Sequence, residues 1–486
     1  MFSKIKAYNF YNSNIFFITF VFYLCLFFNP NNKTLFLAFI LLGLLYYKYL
    51  RNFRLSLLLS TVSSLIFFVG KTYIIELIPP SPYIAFDYPT GFNTSVVLTV
   101  FNIFNIAMLF VILRDLFLKK KLIFALTKPI LWLFMYYLWL IISSLLASKR
   151  PELSFLYSLQ SSGSFVLLLY VCFYGLKNKK LPSYLLSIFL AMVFFEGILV
   201  GLQFINHHHL GLSIEPTKEI ELFGEGVDED YFQYRPIGTF SHANSSAAFV
   251  LPLLFLFMPF LSKHIFKLGF MMGLLILIFS LGRSTWISYI IGLLFFLYIV
   301  EKRWKLKLFQ FDFKAVLKFI NLKSILISAL IVIICIYIVL PRVFKTFYIF
   351  EETGGGWTRT IMARETLNII MQYPIFGVGQ GMGSVEVFDF SPRDVNSHFF
   401  SGVHNGFLSI ALESGFVGLF LFFLFFYFSL KEVIDNLSKL NQKKKLIAFG
   451  GITAIMVLMI NAIFQPIFNL NFIILIIVFL YSLNYN

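Results

Sequence analysis

The stretch PSYLLSIFLAMVFFEGILVGLQF, residues 182–204, decides the fold: Glu196 is its only charged residue. As a helix its 23 residues extend ~35 Å, enough to cross about 30 Å of hydrocarbon. Runs of the same kind occur near 14–28, 34–50, 55–70, 95–113, 128–147, 154–176, 246–262, 267–282, 284–300, 322–340, 404–430, 446–464 and 469–483. The chain of 486 residues is 59% hydrophobic and 13% charged, with 65 Phe and a mean hydropathy of +0.84. A water-facing surface needs far more charge, so a soluble globular protein is excluded. The expected fold is all-α: a polytopic integral membrane protein with about 14 transmembrane helices.

The first run is followed at once by Asn29-Pro30-Asn31-Asn32, with no small-residue cleavage site, so it reads as a retained helix. Cys25, Cys172 and Cys335 fall inside spans, where they act as small hydrophobes. They suggest neither a disulfide framework nor a cysteine metal site.

Basic residues orient the spans. With a cytoplasmic N-terminus, the inner segments are 1–13, 48–54, 114–128, 177–180, 263–267, 301–323 and 431–445. They hold 27 of the 39 Lys and Arg and five of the 23 acids, a net charge of +22; the remainder carries 12 bases and 18 acids. This is the positive-inside pattern, and it puts both termini in the cytoplasm. The overall charge of +16 then reflects topology and contact with anionic membrane lipids, and no nucleic-acid partner is expected.

The organisation expected is transmembrane helices over 1–204, an acidic extracytoplasmic loop over 205–245, helices over 246–340 with a turn at Arg283, a large extracytoplasmic loop over 341–403, and helices over 404–486. The first loop carries Glu215, Glu219, Glu221, Glu225, Asp228, Glu229 and Asp230, then Arg235, and re-enters the membrane through Pro236 to Asn244. The second has a Gly354-Gly355-Gly356 break and a helical stretch from Trp357 to about Gln372, ended by Tyr373-Pro374. The turn Gly377-Val378-Gly379-Gln380-Gly381-Met382-Gly383 follows, without the Gly-Lys-Ser/Thr element of a nucleotide loop.

Several polar residues at the outer face stand out. Arg283, in Ser280-Leu281-Gly282-Arg283-Ser284-Thr285-Trp286, has two readings: snorkelling to headgroups, or binding an anion with its planar fork. Arg359 and Arg364 are five apart, about 140° round a helix, so they should not both face one ligand, and Arg359 is the better choice. His404 stands at the mouth of an apolar helix. It reads either as a hydrogen-bonder of the fold or as a general base, since imidazole is half-neutral near pH ~6.5. Asn405 reads as a helix cap or a sugar contact, and His242 and Asn244 as polar contacts at the membrane boundary. Glu413 is about 180° round and about 14 Å deeper than His404, which makes a metal pair geometrically poor. It and Glu196 read as catalytic acids or, at least equally, as buried acids paired with another helix. Gly415 and Gly418 read as close-packing positions. The tract His207-His208-His209 lacks partners at ligand spacing, and no metal or other cofactor is expected.

These motifs resemble the O-antigen ligase and polymerase superfamily of bacterial membrane glycosyltransferases. The likeness rests on Arg235-Pro236-Ile237-Gly238-Thr239-Phe240 through Asn244, on Ser280 to Trp286, and on Arg359 through Pro374-Ile375-Phe376-Gly377-Val378-Gly379. His404-Asn405, nine residues, Gly415, two residues and Gly418 is similar to the ligase signature. The turn departs from the family's pattern by placing Gly282 before Arg283 and Ser284-Thr285 after it. The resemblance implies a fold of the GT-C type and a glycan donor on undecaprenyl diphosphate, used at the outer face of the inner membrane. His404 would deprotonate the acceptor hydroxyl, and Arg235, Arg283 and Arg359 would hold the leaving diphosphate. Lipid A-core as acceptor makes a ligase, and a second lipid-linked repeat makes a polymerase. A flippase for the lipid-linked glycan is the reading from another class; it predicts essential charges near the midplane, whereas these residues sit at the surface.

Overall fold

The structure is a computed structural model that describes residues 11–28, 30–67, 73–78, 96–118, 127–176, 178–215, 234–240, 242–304, 340, 344, 355–383, 386, 403–465 and 470–483. Its helices are α1 (Ser13–Cys25), α2 (Asn32–Leu50), α3 (Phe53–Ser63), α4 (Val100–Phe117), α5 (Thr127–Leu146), α6 (Pro151–Ser161), α7 (Gly163–Tyr170), α8 (Leu181–Asn206), α9 (Ala243–Phe257), α10 (His264–Phe279), α11 (Arg283–Trp304), α12 (Gly355–Gln372), α13 (Gly406–Asn436), α14 (Gln442–Ala462) and α15 (Leu470–Ser482). Polar residues cut the apolar sequence into these lengths. Asn12, Asn31, Asn52 and Asn441 each accept an amide from the first turn of α1, α2, α3 and α14, supplying a partner that the helix lacks at its start.

Among the described residues, nine helical stretches are long and apolar enough to cross a membrane, and α1, α3, α10 and α15 are shorter apolar helices beside them. The expected span over 322–340 lies, except for its last residue, outside the described residues. The chain is an α-helical multi-pass protein with one local departure. β1 (Tyr73–Ile78) and β2 (Val96–Thr99) form an antiparallel ribbon, with Tyr73 opposite Thr99 and Ile78 opposite Val96. Ile74, Ile75, Val96 and Val97 are β-branched and suit a pleated ribbon, so the span expected from 95 starts only at Val100.

Helices α8, α9 and α15 are apolar all round and are buried almost throughout, as that pattern requires. Around them α1 and α10 flank α8, α14 packs on α9 and α11, and α13 lies along α5. The peripheral helices leave apolar side chains such as Leu41, Phe110 and Phe420 exposed, the surface a bilayer would cover.

Short connections make neighbouring helices antiparallel, so the ends of the bundle alternate along the chain. At one end Asp115 is buried and accepts from Arg54 at 2.6 Å, Arg114 at 3.1 Å and the Tyr174 hydroxyl at 2.9 Å. At the other end lie residues 207–215, 234–240 and 242, the α10–α11 turn, α12 and the start of α13. A second, smaller core forms there from Leu153 of α6, Met362, Ile369 and Ile370 of α12, Val378, Met382, and Ala411 and Leu412 of α13.

Candidate active site

The segment from Arg235 to Phe240 is held by side chains of α8. Gln203 accepts the amides of Ile237 at 3.2 Å and Gly238 at 2.8 Å, and Glu196 accepts the Thr239 amide at 3.2 Å and contacts its hydroxyl. The Thr239 hydroxyl also donates to the Ile66 carbonyl at 2.9 Å. Glu196 is therefore an anchor for this segment, bonded to a loop and not paired with another helix. Arg235 is buried; it donates to the Ser280 carbonyl at 2.7 Å and to Asn244 at 2.6 Å. These two bonds fix its plane and join it to the turn that carries Arg283. His242 caps α9 by accepting the Asn244 amide at 2.9 Å. Polar atoms of both His242 and Asn244 are thus committed inside the protein.

The turn before α11 has Leu281 in the left-handed region, at φ 51°. It is fastened by Thr285 donating to the Gly282 carbonyl at 2.7 Å and by the Trp286 indole donating to Leu277 at 2.8 Å. Gln465, just beyond α14, donates to Ser284 at 3.0 Å. No local pattern marked Gln465, because only the fold brings it beside Arg283. Arg359 projects from α12 on the side of Met362 and Thr366, whereas Arg364 is on the exposed side with Leu367 and Met371. Burial, and then the positive charge of Arg283, lower the Arg359 guanidinium below its ordinary value. Arg235, Arg283 and Arg359 thus converge on one end of the bundle, and Arg364 stands apart.

His404 directly precedes Asn405, the N-cap of α13, whose side chain accepts the amides of Phe407 and Leu408 at 3.0 Å each. Asn405 therefore caps the helix. The helix itself is not continuous. Gly415 breaks it at φ 68° and ψ −178°, and the chain after Pro374 threads into the break. Val378 donates to the Leu412 carbonyl at 2.9 Å, Gly379 to the Glu413 carbonyl at 3.0 Å, and Phe416 to the Pro374 carbonyl at 2.8 Å. From α5, the Trp139 indole donates to the Ser414 carbonyl at 2.8 Å and stacks on Phe376 at 5.1 Å. A Cβ at Gly415 would stand 2.0 Å from the Ile375 carbonyl oxygen, and one at Gly377, where φ is 69°, would stand 2.5 Å from that of Leu412. Both glycines are needed for backbone to meet backbone. This corrects the reading of Gly415 as a close-packing residue in an unbroken span; Gly418 does pack closely, against Trp139.

The carboxyl of Glu413 accepts the amides of Gly381 and Gly383. The glycine-rich turn is thus an anion-binding concavity filled by the protein's own side chain. The expected depth of Glu413 changes too. Its carbonyl lies 3.1 Å from the Ser143 hydroxyl near the end of α5, so it sits where the span ends. Glu413 also lies two residues before the break in α13 at Gly415.

Glu215 closes the loop after α8. It accepts from Gln203 at 2.7 Å and from the amides of Leu210 at 3.0 Å and Leu212 at 2.7 Å, and His209 lies 3.6 Å away. Burial alone would raise its pKa, but these partners outweigh it and hold the carboxyl at about 2. The histidine tract thus has one member engaged with an acid. Among the described residues, no three His, Cys, Asp or Glu side chains gather as metal ligands.

Apolar spans with a cluster of arginines and a histidine at one end define a multi-pass membrane protein with a polar site at its rim. Residues 268–423 match the family model described as O-antigen ligase. The match supports a glycosyltransferase of the ligase or polymerase type in general. The match runs from α10 into α13 and takes in Arg283, Arg359 and His404, while Arg235 lies outside it. No curated protein is significantly similar to the chain.

Proposed function

We propose that the protein is an O-antigen ligase-like transferase that moves a glycan from undecaprenyl diphosphate to an acceptor hydroxyl, with lipid A-core as the acceptor. The positive-inside count puts the arginine-bearing end on the outer face of the inner membrane and both termini in the cytoplasm. One observation carries the reading: Arg283 and Arg359, from different helices, stand close enough for the charge of one to bear on the other. Two guanidiniums brought together from different helices offer paired planar forks that fit a diphosphate.

His404 takes the proton of the acceptor hydroxyl as its oxygen attacks the anomeric carbon. The new carbon–oxygen bond forms as the bond to the diphosphate breaks, on the opposite face, so the configuration inverts. Arg283 and Arg359 receive the charge that develops on the diphosphate, and Arg235 adds a third positive charge from the fixed plane behind them. Asn405 keeps the mouth of α13 in place. Asn244 holds Arg235, His242 caps the helix that carries Asn244, and no step passes through a metal. A polymerase would use the same donor chemistry with a second lipid-linked repeat as the acceptor.

The test is a vesicle assay with lipid-linked donor and either lipid A-core or a second donor. Wild-type protein should attach the glycan to lipid A-core, and growth of the donor chain instead would establish the polymerase. His404→Ala should abolish transfer and still bind donor; full activity in that variant would overturn the base assignment.

A further inference from the structure

Helix α12 is too polar to be a span, yet it exposes apolar side chains. Leu367 is 48% exposed and Met371 71%, and Tyr373 and Ile375 at its end are 38% and 54% exposed. On a helical projection Thr360, Arg364, Leu367 and Met371 share one stripe, bordered by Trp357 and Asn368 with Gln372 beyond them, while Met362, Thr366, Ile369 and Ile370 face the small core. Water would leave this stripe unfavourably hydrated, and no such stripe is needed to hold α12 in place.

The place of α12 identifies what covers the stripe. Its C-terminal end is pinned to the break in α13 by the Phe416–Pro374 bond of 2.8 Å. From that point α13 runs on as an apolar helix from Phe416 to Leu430, ~22 Å, before the charged Lys431. Phe416, Phe420, Phe423 and Tyr427 form its exposed, lipid-facing stripe. Ile375 and Tyr373 therefore sit at the boundary where that stripe begins, and Met371 lies one turn further along α12.

We infer that α12 lies in the headgroup–acyl boundary of the bilayer at this end of the bundle, with Leu367, Met371 and Ile375 among acyl chains and Arg364 reaching a lipid phosphate. Trp357 and Tyr373 are the aromatic types that favour this depth, and the arginine stem lies along apolar surface while its head stays polar. The arginine that stands apart from the candidate site thus has a partner of its own: the phosphate of a surrounding phospholipid. The donor proposed above is itself embedded in lipid, so α12 would hold Arg359 at the depth of that donor's diphosphate. The placement of α12 does not rest on the transfer reaction.

The test uses the full chain without its native cysteines, spin-labelled at Met371→Cys or at Gln372→Cys, in vesicles of phosphatidylethanolamine and phosphatidylglycerol. Neighbouring residues on a helix point about 100° apart. The label at 371 should collide with oxygen, which concentrates in the bilayer, and avoid a water-soluble nickel chelate, with an oxygen-to-nickel ratio at least about threefold above that at 372. Equal ratios would overturn the inference. Shielding of 371 from both reagents would also overturn it, because a protein partner or a second copy would then cover the stripe. Arg364→Glu should move the 371 label towards water in anionic vesicles and leave it in place in purely zwitterionic ones. No shift in either lipid would remove the phosphate contact.

Discussion

Replacing Glu413 by alanine should loosen the joint between the helix of Arg359 and the helix of His404. The carboxyl is the acceptor for the Gly381 and Gly383 amides, in a turn whose next contacts are the Leu412 and Glu413 carbonyls. A buried N–H left without an acceptor costs ~1–3 kcal/mol. Gly383 is buried and Gly381 half-buried, so water can serve one of them and the pair together should cost about 2–3 kcal/mol. At 1.4 kcal/mol per tenfold change, local opening should rise ~30- to 150-fold. Hydrogen exchange read by mass spectrometry on peptides covering 377–383 measures this directly, with the distal half of α13 as an internal control that should not change. Glu413→Gln keeps an acceptor oxygen and should raise exchange by less than about tenfold. Transfer should follow the joint, with turnover reduced in the alanine variant and largely restored in the glutamine variant at similar donor affinity. Unchanged exchange in Glu413→Ala would refute the anchoring argument. Loss of turnover in Glu413→Gln with a protected turn would show that the carboxylate has chemistry of its own.

Gly415→Ala combines a left-handed φ of 68° with a Cβ 2.0 Å from the Ile375 carbonyl, so it should cost more than the ~1–3 kcal/mol of backbone strain alone; a thermal unfolding midpoint equal to wild type would contradict this. Glu215 has its folded pKa lowered to about 2, so its contribution to stability is complete above the ordinary carboxylate range and is lost as the pH falls through about 2. Proteolysis of the 207–215 loop should accordingly be slow and flat from pH 5 to 8 in wild type and fast in Glu215→Ala, and a wild-type loop that opened across that range would argue against the clamp. Arg283→Lys should lower turnover more than tenfold, because lysine keeps the charge but loses the fork that spans a diphosphate; an unchanged rate would favour a headgroup contact for this residue.

Much of this protein could be read one residue run at a time. Whether a stretch such as 182–204 enters lipid depends on its own length and polarity, so many of the spans and the helix from about Trp357 were legible without any knowledge of neighbours. That Arg359 and Arg364 face different sides of their helix was legible too, because the angle between two positions on a helix is a local property. The partners of the buried acids were not. Glu196 and Glu413 looked alike as lone carboxylates in apolar runs, and each turned out to anchor a loop drawn from elsewhere, residues 237–239 in one case and 381–383 in the other. The break at Gly415 was hidden for the same reason. A glycine in an apolar helix is compatible with close packing or with a break, and the difference lies in whether another segment arrives to bond the carbonyls of Leu412 and Glu413 and the amide of Phe416. Hydrophobic length is additive along the chain and therefore visible in it. Hydrogen-bond complementarity between distant segments belongs to pairs, and only the folded arrangement of α5, α12 and α13 determines which pairs form.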